Sequence, residues 1–395
     1  MIHFFFSPEV RRDPFIWYDQ VRAAAPVLCD AKTGTWMLFD YASVKRAMDD
    51  HTTFSSRVTH PGGRAPEWLV FLDPPRHTRL RAIVSGTFTP RAISALAPRI
   101  EAISTELLDS LRERDEIDLV ADYAEPLPVR VIAEMIGIPA EDQATFARWS
   151  RAIVNLSYAI IGGESGARAA REYLAVKEDM ARYLADAIAA RRAVPTDDLL
   201  SALARSEVDG ERLNDEEILG FLQLLLSAAT ETTTNLIANA ALCFMDHPDQ
   251  LTRLRANLDA LGPAIEEVVR FRSPGQIMFR QTTREVTLHG KTIPPDRFVL
   301  LMIGSANRDP AYFPDAQRFD VTRSPNPHLA FGHGIHSCLG AALARAEARV
   351  AVPQLLAHLR RFTPAATEPW APREALHVHG PASLALRVEW ARTHA

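Results

Sequence analysis

Cysteine is scarce in this chain: Cys29, Cys243 and Cys338 are the three present among 395 residues. An odd, sparse and widely spaced set is a poor disulfide framework and suits a reducing compartment. No Cys-x-x-Cys or Cys-x-x-Cys-His occurs, so neither a zinc ribbon nor covalent c-type haem attachment is indicated. Long apolar runs are also missing. The opening Met1-Ile-His-Phe-Phe-Phe-Ser-Pro8 is far too short for a signal-peptide core or a membrane span, and the longer apolar stretches elsewhere are amphipathic or interrupted. A cytoplasmic protein without a membrane partner is the expectation. Charge of one sign is not in excess: 44 Lys and Arg against 49 Asp and Glu leave a formal net charge of −5. That gives no bulk reason for binding nucleic acid or anionic lipid. No Gly/Ser linker, low-complexity run or repeat divides the chain, so 1–395 reads as one domain.

What is present is helical periodicity. Residues 91–113, 140–151, 167–192, 215–246, 248–260, 263–272 and 339–361 place apolar residues at helical spacing. Strand-like alternation is confined to 26–29, 35–39, 286–289, 298–302 and 384–388. The fold class expected is mainly α with small β-sheets. The 215–246 segment spans roughly 48 Å as a helix. Asn214 and Glu217 can form a capping box at its start, and His247-Pro248 stops it. Its apolar middle, from Phe221, predicts burial.

The most specific stretch is Phe331-Gly-His-Gly-Ile-His-Ser-Cys338-Leu-Gly340. Gly332, Gly334 and Gly340 allow turns and close backbone approach. A helix expected from Leu339 would aim its first N–H groups at the Cys338 sulfur and stabilise a thiolate. A thiolate so held is a good axial ligand for haem iron, and it favours O–O cleavage over reversible oxygen storage. Phe331 would shield the sulfur. Cys29 and Cys243 have no such loop and read as small buried hydrophobes.

This loop resembles the haem-binding signature of the cytochrome P450 superfamily, in its soluble bacterial branch, and the resemblance extends from about residue 13 to 390. It implies a single P450 domain binding haem b between the long central helix and the helix after Cys338. Phe331, Gly332, His336, Cys338 and Gly340 are then cofactor-binding, with Cys338 on the metal. Glu267-Val-Val-Arg270 can pair across one turn. The resemblance makes this pair buried and joined by a later arginine, for which Arg318 and Arg323 both stand in the matching stretch. Ala228-Ala-Thr-Glu231-Thr232 puts an acid and an alcohol inside an apolar helix, a local inconsistency that often marks function. The family uses such a pair for proton delivery during oxygen activation, which makes Glu231 and Thr232 catalytic. Ala229 departs from the usual glycine, so the helix opening typical there is expected to be smaller or shifted. His77, Arg81, Arg280 and His336 match partners of the haem propionates. Asn307-Arg-Asp-Pro310 reads as turn chemistry.

The implied pocket draws on the 57–71 loop, residues around 155–175, Leu224 and Ala228, the 274–279 stretch with Gln276, Ile277 and Met278, and a turn near 378–381. Trp68, Leu69, Val70, Phe71 and Phe279 keep it apolar, which suits a hydrophobic small molecule. Gln276 reads either as a polar anchor or as a solvent-facing residue, and Arg57 and Arg64 either as partners of an acidic substrate or as simply exposed. Ile160-Ile-Gly-Gly163 reads as a flexible entry element. The implied activity is insertion of one atom of O2 into the substrate by hydroxylation or epoxidation. Electrons would come from a separate ferredoxin with its NAD(P)H-dependent reductase, docking near Arg76, Arg79, Arg345 and Arg349. The alternatives are a peroxide-driven enzyme of the same kind, a non-catalytic haem sensor, and a helical protein without haem.

Overall fold

A computed structural model describes residues 7–60, 63–64, 68–156, 163–208, 210–375 and 377–391. Residues 160–162 of the Ile160-Ile-Gly-Gly163 element and the side chain of Arg64 lie outside the described residues. The chain groups into two units that interleave along the sequence. The first holds residues 1–55, 97–127 and 232–395, and the second holds 56–96 and 128–231. A single domain with no linker was the expectation from composition. Interleaving is why composition marks no internal boundary, since each unit is assembled from separated segments.

All the larger sheets belong to the first unit. Its five-stranded sheet runs in the order Val27–Cys29, Trp36–Leu38, Phe298–Met302, Ile277–Thr282, Phe54–Ser55. Phe298–Met302 lies parallel to Trp36–Leu38 and antiparallel to Ile277–Thr282. Side chains alternate across this sheet as the pleat requires. Leu38, Val299 and Leu301 pack on one face with Val27, Val44, Phe54 and Ile293. Met37, Phe39, Ile277 and Met302 pack on the other with Phe15 and Tyr18. Burying a side chain of this kind stabilises by about 1.5–3 kcal/mol. Glu116–Asp118, Leu359–Pro364 and Ala385–Trp390 form a second sheet.

The second unit is helical, with helices Arg76–Ser85, Gln143–Leu156, Gly163–Ala193 and Leu199–Arg205. The helix Asp215–Asp246 passes from the second unit into the first between Glu231 and Thr232. Its start is fixed as the sequence predicts: Glu217 N–H donates to Asn214 Oδ1 at 2.9 Å, and Asn214 N–H to Glu217 Oε2 at 3.1 Å. Several boundaries differ from expectation: the 140–151 pattern forms a helix over Gln143–Leu156, and the 248–260 pattern stops as a helix at Ala256. The 91–113 pattern breaks into Pro90–Ala95 and Ala97–Asp109. The helix after Cys338 starts at Ala341, not Leu339, and gives way at Leu359 to a strand.

Candidate active site

The loop before Cys338 is shaped by two left-handed glycines. Gly332 has φ +70, and a Cβ there would sit 3.2 Å from the His336 carbonyl oxygen. Gly334 has φ +67, and a Cβ would come within 3.0 Å of the Met48 carbonyl. Other residues would be strained at both positions. The loop closes with Cys338 N–H donating to the Phe331 carbonyl at 2.7 Å. The cysteine backbone is therefore tied down while its side chain is left exposed. Cys29 is half-buried and Cys243 fully buried, where burial pushes its thiol up to about 12. Gly340 has an ordinary φ of −83 and caps the following helix. An added Cβ would meet nothing within 4 Å, so the fold itself does not require glycine there.

Beside this loop sits a charge cluster that sequence reasoning missed. Arg345 donates from Nε and Nη2 to Glu266 at 2.7 and 2.8 Å. Its guanidinium lies 4.2 Å from the centre of the Phe331 ring. His328 Nε2 is 3.0 Å from Glu266 Oε2. Burial opposes ionisation of Glu266, but the bonds from Arg345 and His328 outweigh it and hold its carboxyl at about 2. The Arg345 guanidinium is held more strongly protonated, by its hydrogen bonds to Glu266 first, then by the charges of Glu266 and Cys338. The sequence signal was the neighbouring Glu266-Glu267 pair, of which only Glu267 was given a role.

Glu267 and Arg270 are both fully buried and bond through two contacts of 2.8 Å. The third member of this group is Arg323, whose Nε reaches the same carboxylate at 3.1 Å. Arg318 offers only its main-chain carbonyl, to Arg270 and Arg323. Glu267 also accepts from Asp320 N–H and Asn326 Nδ2. Arg270 further donates to the carbonyls of Asn307 and Ala316. The cluster thereby pins the irregular stretch ahead of the cysteine loop. The Asn307-Arg-Asp-Pro310 turn joins it: Asn307 Oδ1 accepts from Leu329 N–H at 2.7 Å, and Arg308 lies 3.6 Å from the ring centres of both Phe15 and Phe271.

Glu231 and Thr232 sit mid-way along the long helix, Glu231 buried and Thr232 half-buried. The helix is continuous through them, so the opening typical around Ala229 is not formed. Alanine fits an unbroken helix where glycine would weaken it. The nearby Leu226 carbonyl instead takes hydroxyls from Thr230 at 2.7 Å and Ser150 at 3.1 Å. Thr233 bonds the side chain of Glu347, a buried carboxyl on the helix after Cys338 that sequence reasoning also missed.

Among the basic side chains, Arg280 and His336 are buried in the first unit. His77, buried, and Arg81, half-buried, share the helix Arg76–Ser85 of the second. Of the suggested pocket residues, Leu224 and Ala228 fall four apart on the long helix, in line with Thr232, and Ala228 is exposed. The 276–278 stretch is different. Gln276 is buried: Nε2 donates to the Ser273 carbonyl at 2.8 Å, and its amide fills the space where a Cβ on Gly304 would stand. It is not solvent-facing, and its Oε1 is buried without a hydrogen-bond partner among the described residues. Ile277 packs with Phe15, Tyr18 and Met302 in the core, and Met278 against the opposite sheet face. Arg57 is exposed. Arg349 is exposed, while Arg79 pairs with Glu211 and Glu217, and Arg76 reaches Glu217 at 3.8 Å.

A family model for cytochrome P450 matches residues 168–383. A vitamin D(3) 25-hydroxylase of Pseudonocardia autotrophica is 39% identical over 368 residues, covering 90% of this chain and 88% of its own. The cyclomarin C epoxidase CymV of Salinispora arenicola is 38% identical, covering 88% and 89%. The substrate-free structure of CYP109E1 from Bacillus megaterium superposes with a TM-score of 0.90 at 37% identity, over 96% of this chain and all of that one.

The chain belongs to the cytochrome P450 family. Its mainly helical architecture with small sheets is the P450 fold, and it is a haem-dependent monooxygenase. P450s act on small molecules with O2 and redox partners. Among the described residues, no helix of this P450 is long and apolar enough to cross a membrane. The residues present fit the cofactor. An accessible thiol with a cation beside it suits a thiolate donor. Buried Arg280 and His336, in the same unit as Cys338, are the chemistry that porphyrin carboxylates need.

Proposed function

We propose that this P450 hydroxylates or epoxidises a hydrophobic organic molecule, with Cys338 as thiolate ligand of haem b and electrons delivered by a ferredoxin-type protein. The observation that carries the reading is the exposed Cys338 thiol, backbone-anchored to Phe331, in a loop of left-handed glycines beside Arg345. Haem, when bound, supplies the oxidising chemistry. The protein's own part is binding and proton control. Arg280 and His336, buried in the unit that carries Cys338, hold the propionates. Phe331 anchors the cysteine backbone through its carbonyl, and Gly332 gives the loop its turn. The smallness of Gly340, which the fold does not itself demand, leaves room for the porphyrin face.

Thr232 holds a proton at its hydroxyl for the oxygen under reduction, and Glu231 supplies that proton. A buried acid and a half-buried alcohol in an apolar helix support the pairing. Leu224 and Ala228, on the same stripe of the helix, present apolar surface to the substrate. The relatives that hydroxylate vitamin D(3) and epoxidise cyclomarin C make a sizeable, largely apolar substrate the first class to screen.

The test is spectroscopic. The reduced carbon monoxide complex should give the red-shifted band of thiolate ligation, and Cys338→Ser should lose it. Retention of that band in the serine variant would overturn the assignment. Candidate substrates should shift the ferric haem from low to high spin, and product should form with a surrogate ferredoxin and its reductase.

A further inference from the structure

Arg345 was expected to be a docking cation for the electron donor, but its surroundings do not suit one. It stands seven residues beyond Cys338 on the helix Ala341–His358. A docking cation should be solvated and free to move. Here both guanidinium contacts to Glu266 are formed at once, 2.7 and 2.8 Å, and the same group lies 4.2 Å from the Phe331 ring centre. A forked bond of this kind fixes orientation as well as charge, which a lysine would not do. Glu266 is anchored in turn by His328 at 3.0 Å, and the His328 and Phe331 rings are 5.8 Å apart. Phe331 is the residue whose carbonyl receives the Cys338 N–H. Every member belongs to the first unit.

We propose that Glu266 and Arg345 form a charge-setting pair for the Cys338 sulfur: Arg345 holds a fixed positive charge beside the thiolate, and Glu266, steadied by His328, fixes its place and partly cancels it. Both are positioning residues. The inference rests on the reading of Cys338 as the haem ligand. Reduction adds an electron to the ligated centre, so a nearby positive charge favours the reduced form and a negative charge opposes it. The two members of the pair must therefore act with opposite sign. Glu266→Gln leaves Arg345 uncancelled and should make reduction easier. Arg345→Gln removes the cation and should make it harder.

The experiment uses the haem-loaded full chain and the variants E266Q, R345Q, R345K and E266Q/R345Q. The reduced carbon monoxide spectrum is read first. If the wild type lacks the thiolate band, the ligand assignment itself has failed. If the band is present, the ferric–ferrous equilibrium is titrated. R345Q should shift it three- to tenfold toward the oxidised form and E266Q by a similar factor toward the reduced form, about 30–60 mV each way for a one-electron couple. The double variant should lie between them, and R345K, which keeps the charge, near the wild type. Shifts of the same sign, or none, with the thiolate band intact would overturn the proposal. So would an R345Q effect confined to the salt-dependent rate of reduction by ferredoxin, since that is what a docking cation alone would give. Should R345Q fail to take up haem, E266Q still decides the sign, with R345K as the charge-conserving control.

Discussion

Glu347 shows at the residue scale what the chain does with a charge it cannot solvate. It lies on the buried face of its helix with Leu343 and Ala351, four residues to either side. Burial lifts its carboxyl to about 8, against the opposing hydrogen bond with Thr233. A carboxyl with a raised pKa binds its proton more tightly in the folded chain, so its stabilising effect is full below the unfolded value of about 4.5 and fades as pH climbs through about 8. Glu347→Gln removes that dependence. Relative to wild type, the variant should gain stability between about pH 5 and about pH 9, as measured by urea unfolding at both ends. An unchanged difference would mean that Glu347 ionises normally. Glu267 poses the opposite problem, a charge fully met by partners. Glu267→Ala would strand a buried Arg270 and should cost about 3–5 kcal/mol, with haem uptake lost; a stable, haem-loaded variant would count against the cluster's organising role. Cys338 was legible from its glycine-rich loop, whereas Glu267 was legible only through the family resemblance, since its spacing to Arg270 alone reads as a solvated surface pair. Glu266, Arg345 and Glu347 were not, because what matters about them is a partner 79 residues away in one case and the burial of one helix face in the other.

Elements were legible where local signals mark their ends. The Asp215–Asp246 helix has its capping box written beside it in Asn214 and Glu217, and its bounds agree with its pattern. Asn214→Ala should cost about 1 kcal/mol and be visible in thermal unfolding. The strand Ile277–Thr282 was harder to read. Both faces of its sheet are covered, so Ile277, Met278 and Phe279 form a continuous apolar run with no alternation. Such a run looks like pocket lining until the packing on each side is known. The short strand Leu359–Pro364 was hidden for another reason: it continues a helical pattern without a break, and only pairing with Ala385–Trp390 ends the helix. The unbroken turn at Ala229 bears on function. If Thr232 meets the reacting oxygen through a closed helix, Thr232→Ala should divert reducing equivalents to peroxide while leaving substrate-induced spin change intact. Product formed per NAD(P)H consumed is the measurement, and unchanged coupling would place proton delivery elsewhere.

Over the whole molecule the formal charge is −5, so attraction to an acidic electron carrier must be local rather than global. The arginines available for it divide by what already holds them. Arg76 and Arg79 face Glu217, and Arg79 also Glu211, so reversing their charge would loosen the start of the long helix as well as any docking face. Arg345 is committed to Glu266. Arg349 is exposed on the helix after Cys338 and carries no such commitment among the described contacts. Arg349→Glu is therefore the cleanest probe of an electron-donor surface. It should slow reduction by ferredoxin most at low ionic strength, where steering is unscreened, and the deficit should shrink as salt approaches the regime of a Debye length of about 8 Å. Substrate binding, unfolding midpoint and turnover with hydrogen peroxide should not change. A rate that is equal to wild type at every salt concentration would place the donor on another face, and robust peroxide turnover without any need for ferredoxin would favour a peroxide-driven enzyme over the oxygen-dependent one.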